Sequence, residues 1–439
     1  VVEVATEDDV SETVRFTYTH NIPFLAQSGA HGGTAALGAL KTGIQIHMRG
    51  LNSLTVASDG TYATIGGGIK VIEVRDKLWA ENKWTVHGCC ECPGLMAVAL
   101  GGGHGLLQGR YALLSDQILA LNVVLANGTA VKVSDSSHPD LFWAMQGAGH
   151  NFGIVTSLDY KIYDIPSTEV GGKIWSHEIL TYDATPENVK SVYGLSNKML
   201  EDGSQPDGLS IYGVIAIDPR LSPKPVIMQH IIHNAPLTHL TPFTAPYHAF
   251  NPLTITSREG TYLDVPRWIN VHEDSIPCNP SQVIQDPGVL RFPVDVKTYN
   301  LDVLAAMVTE FSKFVTKNAE FVGSFVMIEQ WPTQAVRAKE RGRSLVPWRD
   351  NGLLIAPALL YPIDNTSTTR DDLAWQTGSK LRQILIDGAK ETGGHYSYVN
   401  YAYGGESAEE WYGKENLGRL RALKRVYDPK NRFRYYAPI

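Results

Sequence analysis

Three of the four cysteines in this chain fall within four consecutive positions, in Gly88-Cys89-Cys90-Glu91-Cys92-Pro93. Adjacent cysteines bridge one another only with strain. Their spacing does not match the paired C-x₂₋₄-C arrangement of zinc modules, so no metal site is expected. A reactive or covalently occupied thiol is the reading left. A second segment, Gln27-Ser28-Gly29-Ala30-His31-Gly32, sets a histidine among small residues directly after a β-rich run. Small residues let the backbone approach a ligand closely, and successive N–H groups in such a turn form a concavity suited to phosphate oxygens. The plain alternative is a tight turn carrying a surface histidine.

Two further segments repeat the theme of bare backbone. Gly101-Gly102-Gly103-His104-Gly105 follows the cysteines, and Gly147-Ala148-Gly149-His150-Asn151-Phe152-Gly153-Ile154-Val155 leads from an amphipathic helix into a β-branched strand. Gly102, Gly105, Gly153 and Val155 are the candidate points of approach to something flat or anionic, while Phe142 and Trp143 read as core. The last segment is aromatic, His395-Tyr396-Ser397-Tyr398-Val399-Asn400-Tyr401-Ala402-Tyr403. As a strand it places Tyr396, Tyr398 and Asn400 on one side and Tyr401 and Tyr403 on the other. An aromatic sheet face is its plain reading.

The elements that must position these residues follow from local pattern. Thr6 and Asp9 form a capping box that opens a helix through Val10 and Val14. Strands are expected over 23–27, 53–57 and 62–65, with a helix carrying Ile72, Val74, Leu78 and Trp79 after Gly66-Gly67-Gly68. The turn Asn127-Gly128 joins strands 118–125 and 130–133 in a hairpin. Asp164 to Gly172 is turn-rich and marks a boundary. Beyond it come longer alternating strands and helices such as 301–317, and Asp428-Pro429 stops the last helix.

The 439 residues are 43% hydrophobic and 19% charged, enough for large buried cores and too apolar for wholesale disorder. Lys and Arg number 38 against 45 Asp and Glu, a net charge of −7 without a basic block, so no nucleic-acid partner is expected. No apolar run reaches the ~20 residues of a membrane span, so no membrane partner is expected either. A small-molecule substrate is the partner that fits. The chain begins at Val1 without a leader, and Asn127-Gly128-Thr129 and Asn365-Thr366-Ser367 are acceptor sequons. Together these give the expectation of a secreted glycoprotein.

In this order the four segments resemble the FAD-linked oxidoreductases of the vanillyl-alcohol oxidase and p-cresol methylhydroxylase superfamily, within it the berberine-bridge-enzyme-like branch. The likeness runs over residues 1–166 and returns with Tyr398-Val399-Asn400-Tyr401 and Tyr427-Asp428-Pro429-Lys430-Asn431-Arg432-Phe433. Over 170–390 it is loose, carried by Glu329-Gln330-Trp331-Pro332. The resemblance implies an α+β fold: a two-subdomain FAD-binding domain over 1–170, an antiparallel-sheet-and-helix substrate domain over 171–390, and a C-terminal segment 391–439 returning to the FAD domain. FAD would lie in the crevice between them.

It further implies that His31 is bonded to the 8α-methyl of FAD, with Ala30 replacing a glycine, and that Ser28, Gly29, Ala30 and Gly32 cradle the pyrophosphate. A second bond, to flavin C6, falls to Cys90 by gapless counting from Gly101, with Cys92 as its rival in a gapped alignment. Both links would grip one edge of the ring and raise its potential. Asn400 would contact the flavin and Tyr401 would act as base, aided by Tyr160 and Lys161. A phenol with pKa ≈ 10 then needs a nearby cation or donor, and Glu329 is an alternative base. The reaction implied is hydride transfer from a small-molecule alcohol, a carbohydrate or secondary metabolite, to flavin N5 and then to dioxygen. An oxidative cyclase of secondary metabolism and a non-catalytic binding protein on the same scaffold are the alternatives.

Overall fold

The computed structural model describes residues 1–166, 174–282 and 284–439. Two compact units emerge, one of Val1–Ile165, Gln334–Pro347 and Gly404–Ile439, the other of Pro166–Thr333 and Trp348–Tyr403. Against the expected segments, 334–347 groups with the first unit and 391–403 with the second. The expected boundary stretch falls largely on 167–173, outside the described residues.

The first unit opens as its capping signal requires. Thr6 Oγ1 accepts from the Asp9 N–H, Asp9 reaches back to the Thr6 N–H, and Glu7–Thr19 is helical. Val10 and Val14, one turn apart, pack with Phe24, Ile46 and Met48 in a small core. Beside it lies a parallel three-stranded sheet in the order Val2–Glu3, Ile44–His47, Phe24–Gln27. A second, antiparallel sheet runs Leu54–Val56, Tyr62–Gly66, Gly153–Lys161, Ile118–Leu125, Ala130–Ser134. Its last pair is the hairpin expected at Asn127-Gly128, with Gly128 at φ +85°. The tail is fastened to this unit: the Arg432 guanidinium donates to Asn21 and to the Thr17 and Ile22 carbonyls, and Lys424 donates to those of Asn151 and Phe433.

The second unit is built on one antiparallel sheet. Its order is Thr254–Gly260, Trp175–Asp183, Pro225–His233, Leu209–Ile217, Phe325–Gln330, Leu353–Pro362, Pro287–Arg291, and Val294–Val296 also pairs with Leu353–Pro362. The helix Leu301–Lys317 covers one face. Its buried Leu304, Met307, Val308, Phe311 and Val315 recur at three- and four-residue intervals, the stripe that makes a helix pack on a sheet. Ile211, Ile231, Ile328, Leu353 and Ile355 meet it from the strands. Their neighbours in sequence must therefore point to the other face, and that face carries Glu329, Tyr212 and His230.

Candidate active site

Two constellations stand out, one in each unit. In the first, the 28–32 loop touches the cysteine loop through bare backbone. A Cβ on Gly29 would stand 2.4 Å from the Gly94 nitrogen and 2.5 Å from the Cys92 oxygen, and one on Gly94 would stand 2.1 Å from Ser28 Oγ. Glycine at both positions is what lets the loops meet. The turn is completed by Ala30 at φ +54°, a left-handed conformation that glycine adopts freely and alanine does not.

This contact brings His31 to the cysteines. Cys92 Sγ lies 3.6 Å from His31 Nδ1 and 3.5 Å from Cys90 Sγ, and Cys89 and Cys90 carry free thiols. The donor-type atoms of His31, Cys90 and Cys92 all fall within 4.8 Å of one another, but the Cys92 sulfur is disulfide-bonded and so is not a free thiol. That leaves one imidazole nitrogen and one free thiol as donors in the cluster, fewer than a zinc site takes. An imidazole nitrogen and a free thiol sulfur this close also fit the 8α and C6 positions, which lie on one benzenoid ring of the flavin, so the donor set is compatible with FAD.

The other expected cofactor residues are positioned by the protein itself. Gly102 has φ +98°, and a Cβ on Gly105 would stand 2.3 Å from the His87 oxygen. Gly153 pairs with Leu125, where a Cβ would strike Val123, and Val155 pairs with Val123 in the same strand. His87 and His104, on either side of the glycine run, are held neutral by burial, each with its pKa lowered to about 4. The Tyr160 hydroxyl is fully buried and donates to the Val86 carbonyl at 2.8 Å. Its pKa is raised by that burial, and Lys161 beside it is lowered, also by burial. Trp143 is core as expected, with Arg419 over its ring at 4.0 Å.

The second constellation centres on Glu329 and Tyr401. The Tyr401 hydroxyl donates to Glu329 Oε1 at 2.9 Å, and the Trp331 indole N–H donates to Oε2 at 3.3 Å. Glu329 is 4% exposed, and burial lifts its pKa to about 7 despite these two donors and the Arg291 charge. Tyr401 is driven well above 10, by burial first and then by the Glu329 charge, which outweigh Arg291 at 5.4 Å from its ring. The cation expected beside Tyr401 is therefore present, but it does not make a phenolate. Gln330, between Glu329 and Trp331, points to the helices and bonds Tyr299, Ser196 and Gln205.

The aromatic segment departs from the regular strand considered above. Only Tyr396 bridges a strand, to Asp295, and Val399–Tyr401 is a turn of 3₁₀-helix. The turn replaces strict alternation, so Asn400 and Tyr401 are not sent to opposite faces by a pleat. Asn400 donates its amide to the Tyr398 hydroxyl at 2.9 Å.

Sequence reasoning missed the row beside Glu329. Register places Asp295, Leu354, Glu329, Tyr212, His230 and Ile179 directly opposite one another on successive strands, hence on one face. Asp295 is 2% exposed, its Oδ2 has no partner among the described residues, and burial raises its pKa well above 4. His230 and His177 share a 2.9 Å hydrogen bond and are both held neutral, at about 3 and about 2, chiefly by burial. The signal for Asp295 was available: a lone carboxylate between two valines in a β-branched run.

Known proteins resemble this chain along its whole length. Residues 1–134 match the family described as FAD binding domain, and 397–439 match the family described as berberine and berberine like. The FAD-linked oxidoreductase chyH of Penicillium rubens is 37% identical over 444 residues, covering all of this chain and 85% of that protein. Among solved structures, 6-hydroxy-D-nicotine oxidase from Arthrobacter nicotinovorans aligns with a TM-score of 0.79 at 22% identity, over all of this chain and 91% of that one. Xylooligosaccharide oxidase from Myceliophthora thermophila, solved with xylobiose, aligns at 0.80 and 21%, over all of this chain and 90% of that one. The fold is that of the vanillyl-alcohol oxidase and p-cresol methylhydroxylase superfamily. The chain belongs to its berberine-bridge-enzyme-like branch and is an FAD-linked oxidoreductase.

Proposed function

We propose that the protein is an oxidase of a small-molecule alcohol, in which the Glu329–Tyr401 pair takes the hydroxyl proton and dioxygen is the final acceptor. The observation that carries this reading is the hydrogen bond from Tyr401 to a buried carboxylate whose pKa sits near 7. A base poised near the operating pH is the efficient one. Tyr401 can accept the substrate proton as its own passes to Glu329, so no free phenolate is needed. Arg291 over the ring and the Trp331 indole hold the pair in place. The flavin, when bound, supplies the hydride acceptor at N5.

His31 and Cys90 serve as covalent tethers in this proposal, and the closeness of their reactive atoms supports it. Forming either link would take one hydrogen from the protein atom and one from the flavin, with dioxygen as the two-electron oxidant, and His31 and Cys90 would then hold the ring. Ser28, Gly29, Ala30 and Gly32 would hold the pyrophosphate, and Asn400 would face the ring. Two oxidases among the structural neighbours, one named for a nicotine and one for an oligosaccharide, support an open choice between aromatic and sugar substrates. The acceptor residues Asn127 and Asn365 are exposed, which supports glycosylation and a secretory route.

The test is a panel of sugar and aromatic alcohols given to the flavin-loaded protein, with peroxide release measured. Peroxide in proportion to substrate consumed is expected, and its loss in Glu329→Gln. Turnover that needs another acceptor, or that survives that substitution unchanged, would overturn the reading.

A further inference from the structure

The cysteine loop presents alternate residues to opposite sides. Cys90 and Cys92 converge on His31, Cys92 as a disulfide-bonded sulfur and Cys90 as a free thiol. Glu91 between them is turned the other way, and its carboxylate accepts from the Arg75 guanidinium at 2.5 Å. Both side chains of that pair are 8% exposed, and Arg75 is held in turn by Asp76 at 2.8 Å. Arg75 lies on the helix Val71–Ala80, whose first two N–H groups, those of Val71 and Ile72, donate to the Pro93 and Glu91 carbonyls. The loop thus satisfies donors that a helix start otherwise leaves open, and Gly29 closes on its other side.

We infer that the Arg75–Glu91 ion pair is a positioning device that selects which cysteine faces His31. A buried carboxylate without its partner is driven towards water. Freed from Arg75, Glu91 leaves its pocket, and residues 89–91 turn about Cys92, which its disulfide holds in place. Cys90 then moves away from His31 while Cys89, the other free thiol, moves towards it. The crowded cysteines make this selection necessary, because two free thiols compete for one place. For its consequence at the flavin the inference rests on the tether proposal above. Neither Arg75 nor Glu91 touches the reacting atoms.

The experiment compares wild type, Arg75→Met and the double variant Arg75→Met/Glu91→Met, each flavin-loaded. Peptide mapping by mass spectrometry locates the FAD-linked cysteine, and iodoacetamide labelling of the folded proteins ranks Cys89 against Cys90. Arg75→Met is expected to lower the ratio of Cys90-linked to Cys89-linked flavin at least about tenfold, the change produced by 1.4 kcal/mol of altered loop preference. The double variant, which leaves no buried charge, is expected to restore the wild-type ratio. A link at His31 in all three shows that the loops still fold. If Arg75→Met keeps the wild-type ratio, or if the double variant fails to restore it while His31 stays linked, the inference is overturned. If no cysteine of the wild type carries flavin, the second tether fails, and the labelling decides the positioning claim separately. Cys90 must then gain iodoacetamide at the expense of Cys89 in Arg75→Met and revert in the double variant, and unchanged labelling overturns it.

Discussion

The two constellations are built by different means. Around His31 the architecture is backbone on backbone: Gly29 and Gly94 are absent side chains that let two loops meet, and the reactive groups follow from that meeting. Around Glu329 it is side chain on side chain. Strand register aligns Asp295, Glu329, Tyr212 and His230 on one face, and burial sets the charge states of Asp295, Glu329 and His230. The first kind of site is sensitive to an added methyl group. The second tolerates isosteric change in shape but responds to every proton.

That contrast predicts the largest effect at Glu329. Glu329→Gln keeps the volume and the Tyr401 hydrogen bond but removes the proton acceptor, so kcat should fall by roughly 10²- to 10⁴-fold. Bound flavin should be retained, as its absorbance would show. Loss of flavin together with activity would join the two regions and break the comparison.

The next effect is on stability against pH. Glu329 has a folded pKa of about 7 against an ordinary 4.5, so the folded state holds the proton more tightly. Its protonated form is favourable below about 4.5, and that advantage is lost as pH rises towards 7. The total is about 3 kcal/mol, from ~1.4 kcal/mol per pKa unit. Denaturant melts of wild type and Glu329→Gln at pH 4 to 8 should diverge by that amount and in that direction. The neutral pair His177 and His230 acts in the opposite sense, losing stability as pH falls below ~6.5, and cancels in the difference.

In the first region the expected effects are steric. Gly29→Ala puts a methyl group into backbone 2.4–2.7 Å away and should destabilise by about 1–3 kcal/mol. Flavin content should fall while the pH dependence of unfolding keeps its shape. Smallest is Ala30→Gly, which relieves a left-handed alanine at φ +54°. The strain released, roughly 1–2 kcal/mol, is offset in part by the more flexible unfolded chain. A gain of about 0.5 kcal/mol in a denaturant melt is expected.

The same contrast explains what could be read before folding. Thr6 with Asp9, Asn127-Gly128, and the apolar stripe of Leu301–Lys317 are local signals, and their elements form where the pattern puts them. The first constellation was legible because small residues flank His31 and cysteines crowd position 90, and both are visible in short segments. Glu329 was visible as a residue but not as a member of a pair, because its partner lies in a segment whose 3₁₀ turn breaks the expected alternation. Asp295 and the His177–His230 bond depend on which strands neighbour which, information spread over the whole second unit. The stretch 334–347, which groups with the first unit, is richer in charge than the chain around it, with Arg337, Lys339, Glu340, Arg341 and Arg343, but a charged run does not by itself say which unit it joins.

The most direct measurement is the rate at which a substrate found in the panel bleaches the bound flavin without dioxygen, followed from pH 5 to 9. The wild-type rate should rise through a midpoint near 7 and level off, and Glu329→Gln should be slow throughout with no such midpoint. A flat wild-type profile across that range, or the same midpoint surviving in Glu329→Gln, would contradict the assignment of Glu329 as the proton acceptor.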